Sequence, residues 1–242
     1  MKNAIEYLKQ GLYQTFILDD NYLYFVRGLK VTLIVTVAAL LIGIVLGVLV
    51  AVIRSNYDLQ RGKKSFVMKV LNAVAKVYLT VIRGTPVMVQ LLIMWFVVLA
   101  SMRQSNQNMI FCAILTFGIN SGAYVAEIFR SGIMSVDPGQ MEAGRSLGLS
   151  YGTTMRKIVI PQAFKNVLPA LGNEFIALIK ETSIVNVIGL KDLTKGAMII
   201  QGKTYQALVP YFALALFYLA LVLILTWLLG IMERRLRASD LR

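Results

Sequence analysis

Few residues in this chain can do chemistry, and most of them fall in one stretch. There is no histidine and a single cysteine, Cys112. That excludes His-based triads, disulfide frameworks and zinc sites built from several Cys or His ligands. What remains is a polar group set in the apolar run Ile158 to Leu190: Asn173, Glu174, Lys180, Glu181, Thr182 and Ser183. On a helix, Glu174 and Glu181 share a face, with Asn173 and Lys180 in an adjacent stripe and the small Ala177 between them. Charges at a membrane helix centre cost roughly 2.5–3.5 kcal/mol, so they turn to a cavity or a partner. Two uses stay open. One is an internal patch that pairs with Arg83 or Glu127 and holds a bundle together; the other is a ligand cavity. No catalytic residue and no metal site is expected, because only the Glu174/Glu181 pair would be left to serve an enzyme.

The elements that must position this group belong to a membrane. Of the 242 residues, 57% are hydrophobic and 15% charged, against about 25% charged in a soluble domain. Uncharged or nearly uncharged runs predict five spans, at about 23–53, 78–102, 109–130, 162–190 and 205–233, in a single all-α domain covering 1–242. Gly43 and Gly47 form a G-x-x-x-G that permits close helix packing. Pro86 reads as an early-helix proline after a break. Arg83, and Glu127 with Arg130, read as anchors near the membrane boundary. Tyr205, Tyr211, Tyr218 and Trp227 read as interface and packing aromatics on the last span. Met1 to Tyr22 lacks the build of a signal peptide and suits an amphipathic surface helix.

The net charge of +13 sits in loops between apolar runs, which marks topology and argues against nucleic acid. If the Arg54–Lys69 and Arg130–Lys165 loops and the tail from Glu233 are cytoplasmic, that side holds fourteen basic residues and the other six. The N-terminus is then outside and the C-terminus inside. No inverted repeat of the kind found in ion-coupled carriers is evident.

The connection 135–161 is long for neighbouring helices and carries its own signals. Asp137 can cap a helix with Pro138 at its first position and Gln140 at capping-box spacing. That helix runs through Glu142, Ala143 and Arg145 to Leu147, and Gly148 suits a left-handed end. Ser150 can cap a second short helix that stops at Pro161. The pair would form a knob on the basic side.

Glu142-Ala143-Gly144, Gly148 six positions on, and Ile158-Val159-Ile160-Pro161 resemble the EAA loop of ABC importer permeases. Gly144 stands where alanine is usual, which would loosen the helix by roughly 1 kcal/mol, and Ile160 stands where leucine is usual. Arg83-Gly84-Thr85-Pro86, the stretch Asn120 to Arg130, Leu171-Gly172-Asn173-Glu174-Phe175, Lys180-Glu181-Thr182-Ser183 and Val187-Ile188-Gly189-Leu190 are similar to signatures of polar amino-acid permeases, in the same order. The resemblance covers roughly Val31 to Arg237. It implies a type I permease fold in a bacterial inner membrane, non-catalytic, with a second permease chain, identical or homologous. It also implies two ATP-binding cassette subunits that carry ATP and magnesium, and an extracytoplasmic solute-binding protein. Glu142, Ala143, Gly144, Arg145, Leu147 and Gly148 would couple to the ATPase. For an amino-acid substrate, Glu174 and Glu181 could hold the ammonium, and Lys180, Thr182, Ser183 and the Asn173 amide the carboxylate. Two carboxylates against one lysine favour a cationic side chain.

Overall fold

The computed structural model describes residues 2–60 and 62–238, and among them there is no strand. Met1, Arg61 and the end of the basic tail, including Arg242, lie outside the described residues. Helices α1 (Lys2–Phe16) and α2 (Tyr22–Leu59) are joined by a 3-10 turn. There Asp19 and Asp20 take positive φ, a conformation Asp tolerates better than most residues. α1 falls where a surface helix was expected. By length and apolarity, α2 with its lead-in, α5 (Asn106–Met134) and α10 (Leu208–Ala238) suffice to cross a membrane.

The stretch 78–102 is not one helix. α3 (Phe66–Gly84) ends, Thr85 is extended, and α4 (Val87–Ile93) runs on into a π-helical turn at Met94–Val98. The chain bends by 106° at this break, and the bent pair qualifies as a span only when taken together. The cause is Pro86, which offers no amide to the helix and forces the residue before it out of the helical region.

Pro161, expected to stop a helix, stops nothing. α7 (Tyr151–Thr154) passes through a π-helical turn at Met155–Val159 directly into α8 (Ile160–Glu181). The wider turn shifts the bonding pattern just ahead of the proline, so its missing amide is absorbed. Pro169 also lies within α8. Beyond Glu181 the chain continues as a 3-10 segment, Thr182–Ile188, ending at Gly189 with φ +92. A helix the sequence did not suggest, α9 (Leu193–Thr204), follows. α10 therefore starts at Leu208, and Tyr205 is the 90%-exposed left-handed cap of α9 rather than part of the last span.

By internal packing the chain forms two units. The first is Met1–Ala39, Met88–Phe117 and Ile176–Trp227. Its core joins Phe25 of α2, Leu193, Ala197 and Ile200 of α9, and Ala213 of α10, with Phe25 against Phe217 at 5.0 Å and Phe16 at 5.9 Å. α2 and α9 meet backbone to backbone. A Cβ on Gly28 would lie 2.5 Å from the Asp192 carbonyl oxygen, and one on Gly196 would lie 2.8 Å from that of Tyr24.

The second unit is Leu40–Val87, Gly118–Phe175 and Leu228–Arg242. Here the Gly43/Gly47 motif does seat α2 closely on α5. A Cβ at Gly43 would meet Ser121 Oγ at 2.9 Å, and one at Gly47 would meet Val125 at 2.5 Å. Leu79, Ala123 and Ala126 bury alongside. Tyr78 donates to the Ile119 carbonyl at 2.6 Å.

Candidate functional site

The knob is built by local rules. Asp137 accepts from the Gly139 amide at 2.8 Å, and Pro138 opens α6 (Pro138–Ser146). The return half of the capping box is replaced, because Gln140 Oε1 faces Gln162 Nε2 at 3.4 Å. α6 ends in a Schellman motif: the Gly148 amide bonds the Arg145 carbonyl, the Leu149 amide bonds that of Gly144, and Gly148 sits at φ +81. Ser150 then caps α7 through the Thr153 amide at 3.2 Å.

Gly144 takes a different meaning from the one its helix propensity suggests. It is buried against α7, and a Cβ there would lie 2.5 Å from the Thr154 methyl and 3.1 Å from Ile158. The glycine sets the spacing of the two helices, so its effect is close packing and not loosening. Glu142, Ala143, Arg145 and Gly148 are exposed and Leu147 is 81% exposed. Beside them lies a concavity of about 560 Å³ lined by Met134, Asp137, Met141, Glu142, Arg145 and Tyr151, among others. This is an adaptable apolar floor with charges of both signs at its edge.

The three charged residues expected as boundary anchors, Arg83, Glu127 and Arg130, form one cluster. Glu127 accepts from Arg130 at 3.1 Å and lies 4.0 Å from Arg83. The Arg83 guanidinium also sits 5.6 Å over the Tyr124 ring. The carboxylate is matched by two guanidiniums and stays partly open to solvent, so the arrangement contributes only modestly to stability.

The polar residues of α8 and of the 3-10 segment after it are dispersed in environment. Glu174 is half-buried, and its Oε1 accepts from the fully buried Ser121 hydroxyl at 2.7 Å. Asn173 and Lys180 are exposed, and Glu181 is half-buried. Thr182 is fully buried and donates back to the Ile179 carbonyl at 2.8 Å. Its hydroxyl is thus spent on the chain's own backbone. Ser183 is half-buried, and its carbonyl accepts from Asn186 at 2.6 Å. Arg83 and Glu127, the partners expected for this face, engage each other at 4.0 Å.

Two residues escaped the sequence reading. Ser121 lay inside the Asn120–Arg130 signature without a role, and nothing local could tie it to Glu174. Asp192 had a local signal, an N-cap ahead of Lys195. It is fully buried and accepts from the Thr194 and Lys195 amides at 3.1 and 2.9 Å. Burial raises its carboxyl above the ordinary range, opposed by those amide bonds.

Residues 43–238, which hold the knob, the ion cluster and α8, match the binding-protein-dependent transport system inner membrane component. The chain belongs to that family. The permease is 37% identical to the arginine transport system permease protein ArtQ of Bacillus subtilis, across 90% of this chain and 94% of that one. It is also 37% identical to the glutamine transport system permease protein GlnP of Escherichia coli K12, across 88% and 92%. A solved amino acid ABC transporter, crystallised with histidines, superposes at a TM-score of 0.78 with 44% identity, covering 88% of this permease and 94% of that chain. A methionine ABC transporter crystallised in an inward-facing form superposes at 0.72 with 18% identity, covering 91% and 99%, a likeness of fold. The permease has the type I ABC importer permease fold, an all-helical, multi-pass membrane build.

Proposed function

We propose that this permease is the pathway-forming subunit of an ATP-driven importer of polar amino acids, with a preference for cationic ones. It crosses the bacterial inner membrane five times, counting the bent α3–α4 pair and α8, with its N-terminus outside and its C-terminus in the cytoplasm. It pairs with a second permease chain, identical or homologous, above two ATP-binding cassette subunits. Those subunits hold the ATP and magnesium, and an extracytoplasmic solute-binding protein delivers the substrate. No chemistry is asked of this chain, because alternating access needs only two packed arrangements of its helices.

The observation that carries the reading is α8 itself, which carries Glu174, Lys180 and Glu181 in a chain similar to a permease named for arginine. A half-buried carboxylate such as Glu174 or Glu181 suits an ammonium or guanidinium group. Exposed Lys180 and the Asn173 amide suit a carboxylate. The knob supports the coupling role, since Glu142 and Arg145 stand exposed on a short helix, and Leu147 at its C-cap, with both ends held by the helix's own caps.

A second reading, a neutral amide-bearing substrate, is favoured by the Ser121 bond to Glu174, which already occupies one of the two carboxylates. Co-purification of a stoichiometric ATPase, followed by uptake of arginine and of glutamine into proteoliposomes, tests both. Arginine uptake coupled to ATP hydrolysis supports the main reading, and uptake of glutamine alone selects the second. A permease that brings no ATPase overturns the assignment. Cysteine labelling on a Cys112→Ser background reads the orientation of the termini.

A further inference from the structure

Helix α3 has three faces, and the transport reading above assigns no ligand to two of them. Asn72, Ala75 and Leu79 are buried. Around the helix from these come Lys69, Ala73, Lys76, Thr80 and Arg83, all exposed. The three cations are seven apart, so they stand in one line about 20 Å long, with only the small Ala73 and Thr80 between them. The third arc is Phe66, Val67, Val70, Val74, Val77 and Val81, between 44% and 80% exposed.

The helix contains no acidic residue. Arg83, at its end, is engaged by Glu127 and the Tyr124 ring. Lys69 and Lys76 take part in none of the ion pairs among the described residues. Two more lysines lead into the helix, and Lys64 Nζ sits 3.6 Å over the Tyr57 ring.

We infer that α3 is a binding site for anionic phospholipid, with phosphate groups on the Lys69–Lys76 line and acyl chains on the valine arc. The ligand must match both arcs at once. A soluble anion would satisfy the lysines and leave six large apolar side chains unexplained. A purely apolar partner would leave two ammonium groups against hydrocarbon, which is costly. A second copy meeting this face across a two-fold axis would set lysine against lysine. An amphiphile with a negative head satisfies every arc, as in helices that lie in the membrane interface. The inference rests on membrane residence alone and is independent of the substrate.

The test uses the permease purified with whatever partners it brings, stripped of lipid in detergent. It is then titrated with phosphatidylglycerol or phosphatidylcholine while bound lipid is counted by native mass spectrometry. The wild type should retain phosphatidylglycerol in preference. Lys69→Gln with Lys76→Gln should weaken that binding about 30-fold and leave phosphatidylcholine unchanged, and the Lys69→Arg, Lys76→Arg pair should keep it. Wild-type retention by the glutamine pair, or no preference in the wild type, overturns the proposal. So does displacement of phosphatidylglycerol by millimolar inorganic phosphate, which would make this a soluble-anion site. Loss of a permease dimer in the same spectra, with lipid retained, would make the face an interface between copies and also overturn it.

Discussion

Asp192 and Glu174 are both carboxylates drawn away from bulk water, and the protein treats them differently. Asp192 is fully buried, with its oxygens taken by two amides at the start of α9. Around it Thr32 Oγ1 accepts from the Leu193 amide at 3.3 Å, and Thr194 meets the Tyr218 hydroxyl at 3.3 Å. Glu174 is only half-buried, and the contact that orients it is a side-chain hydroxyl, Ser121 at 2.7 Å. A carboxylate held by backbone donors fixes the backbone, and it cannot leave without stranding them. A bond from a side-chain hydroxyl fixes a side chain and strands no backbone amide when it breaks. The first is architecture, and the second is the group proposed above to meet substrate.

That contrast can be broken. Asp192→Ala removes a cap and leaves two buried amides unmatched, so it should cost about 3 kcal/mol. A chemical-denaturation midpoint in detergent reads this, and Asp192→Asn should recover most of the loss. The knob supplies a control for packing without charge. Gly144→Ala should cost about 2 kcal/mol through its clash with Thr154, and adding Thr154→Ser should return a measurable part, because the two sites touch. Ser121→Ala should cost only about 1 kcal/mol yet raise the arginine concentration that half-saturates ATPase stimulation. Glu174→Gln and Glu181→Gln should reduce that stimulation with little loss of stability. Unchanged stimulation in both would move Glu174 into the same class as Asp192.

The smallest effect concerns pH. Burial lifts the Asp192 carboxyl above its ordinary 3.8, so the folded protein holds this proton more tightly than the unfolded chain does. Its contribution to stability is complete below that ordinary value and declines as pH rises through the raised one. The denaturation midpoint should therefore fall gently with pH over that window, and Asp192→Asn should flatten the slope.

What could be read from sequence divides along the same line. The knob was legible because its determinants are neighbours: Asp137 with Gly139, Gly148 with Arg145, Ser150 with Thr153. The long apolar helices were legible by composition. α9 was missed because its residues, Leu193 to Thr204, lack length and carry Lys195 and Lys203. It is held by contacts to α2 that two glycines allow and that no local pattern announces. Ser121 meets Glu174 across 53 positions, a pairing only the fold could reveal. That Thr182 is buried with its hydroxyl on the Ile179 carbonyl was likewise not readable from spacing. Pro161 misled because a breaker rule assumes the α pattern, and the helix had already changed to a π turn.

The uninterrupted run from Tyr151 to Phe175 has a consequence for timing. At 1.5 Å per residue it is a rod roughly 37 Å long, with Thr154 gripped by Gly144 near one end and Asn173-Glu174 near the other. A rod does not relay a signal in stages. Whatever tilts the end that carries Thr154 shifts the end that carries Glu174 in the same instant, apart from any give at the π turn and at Pro169. Stiffness at those two joints, more than any contact along the way, would set how faithfully a movement at one end is copied at the other.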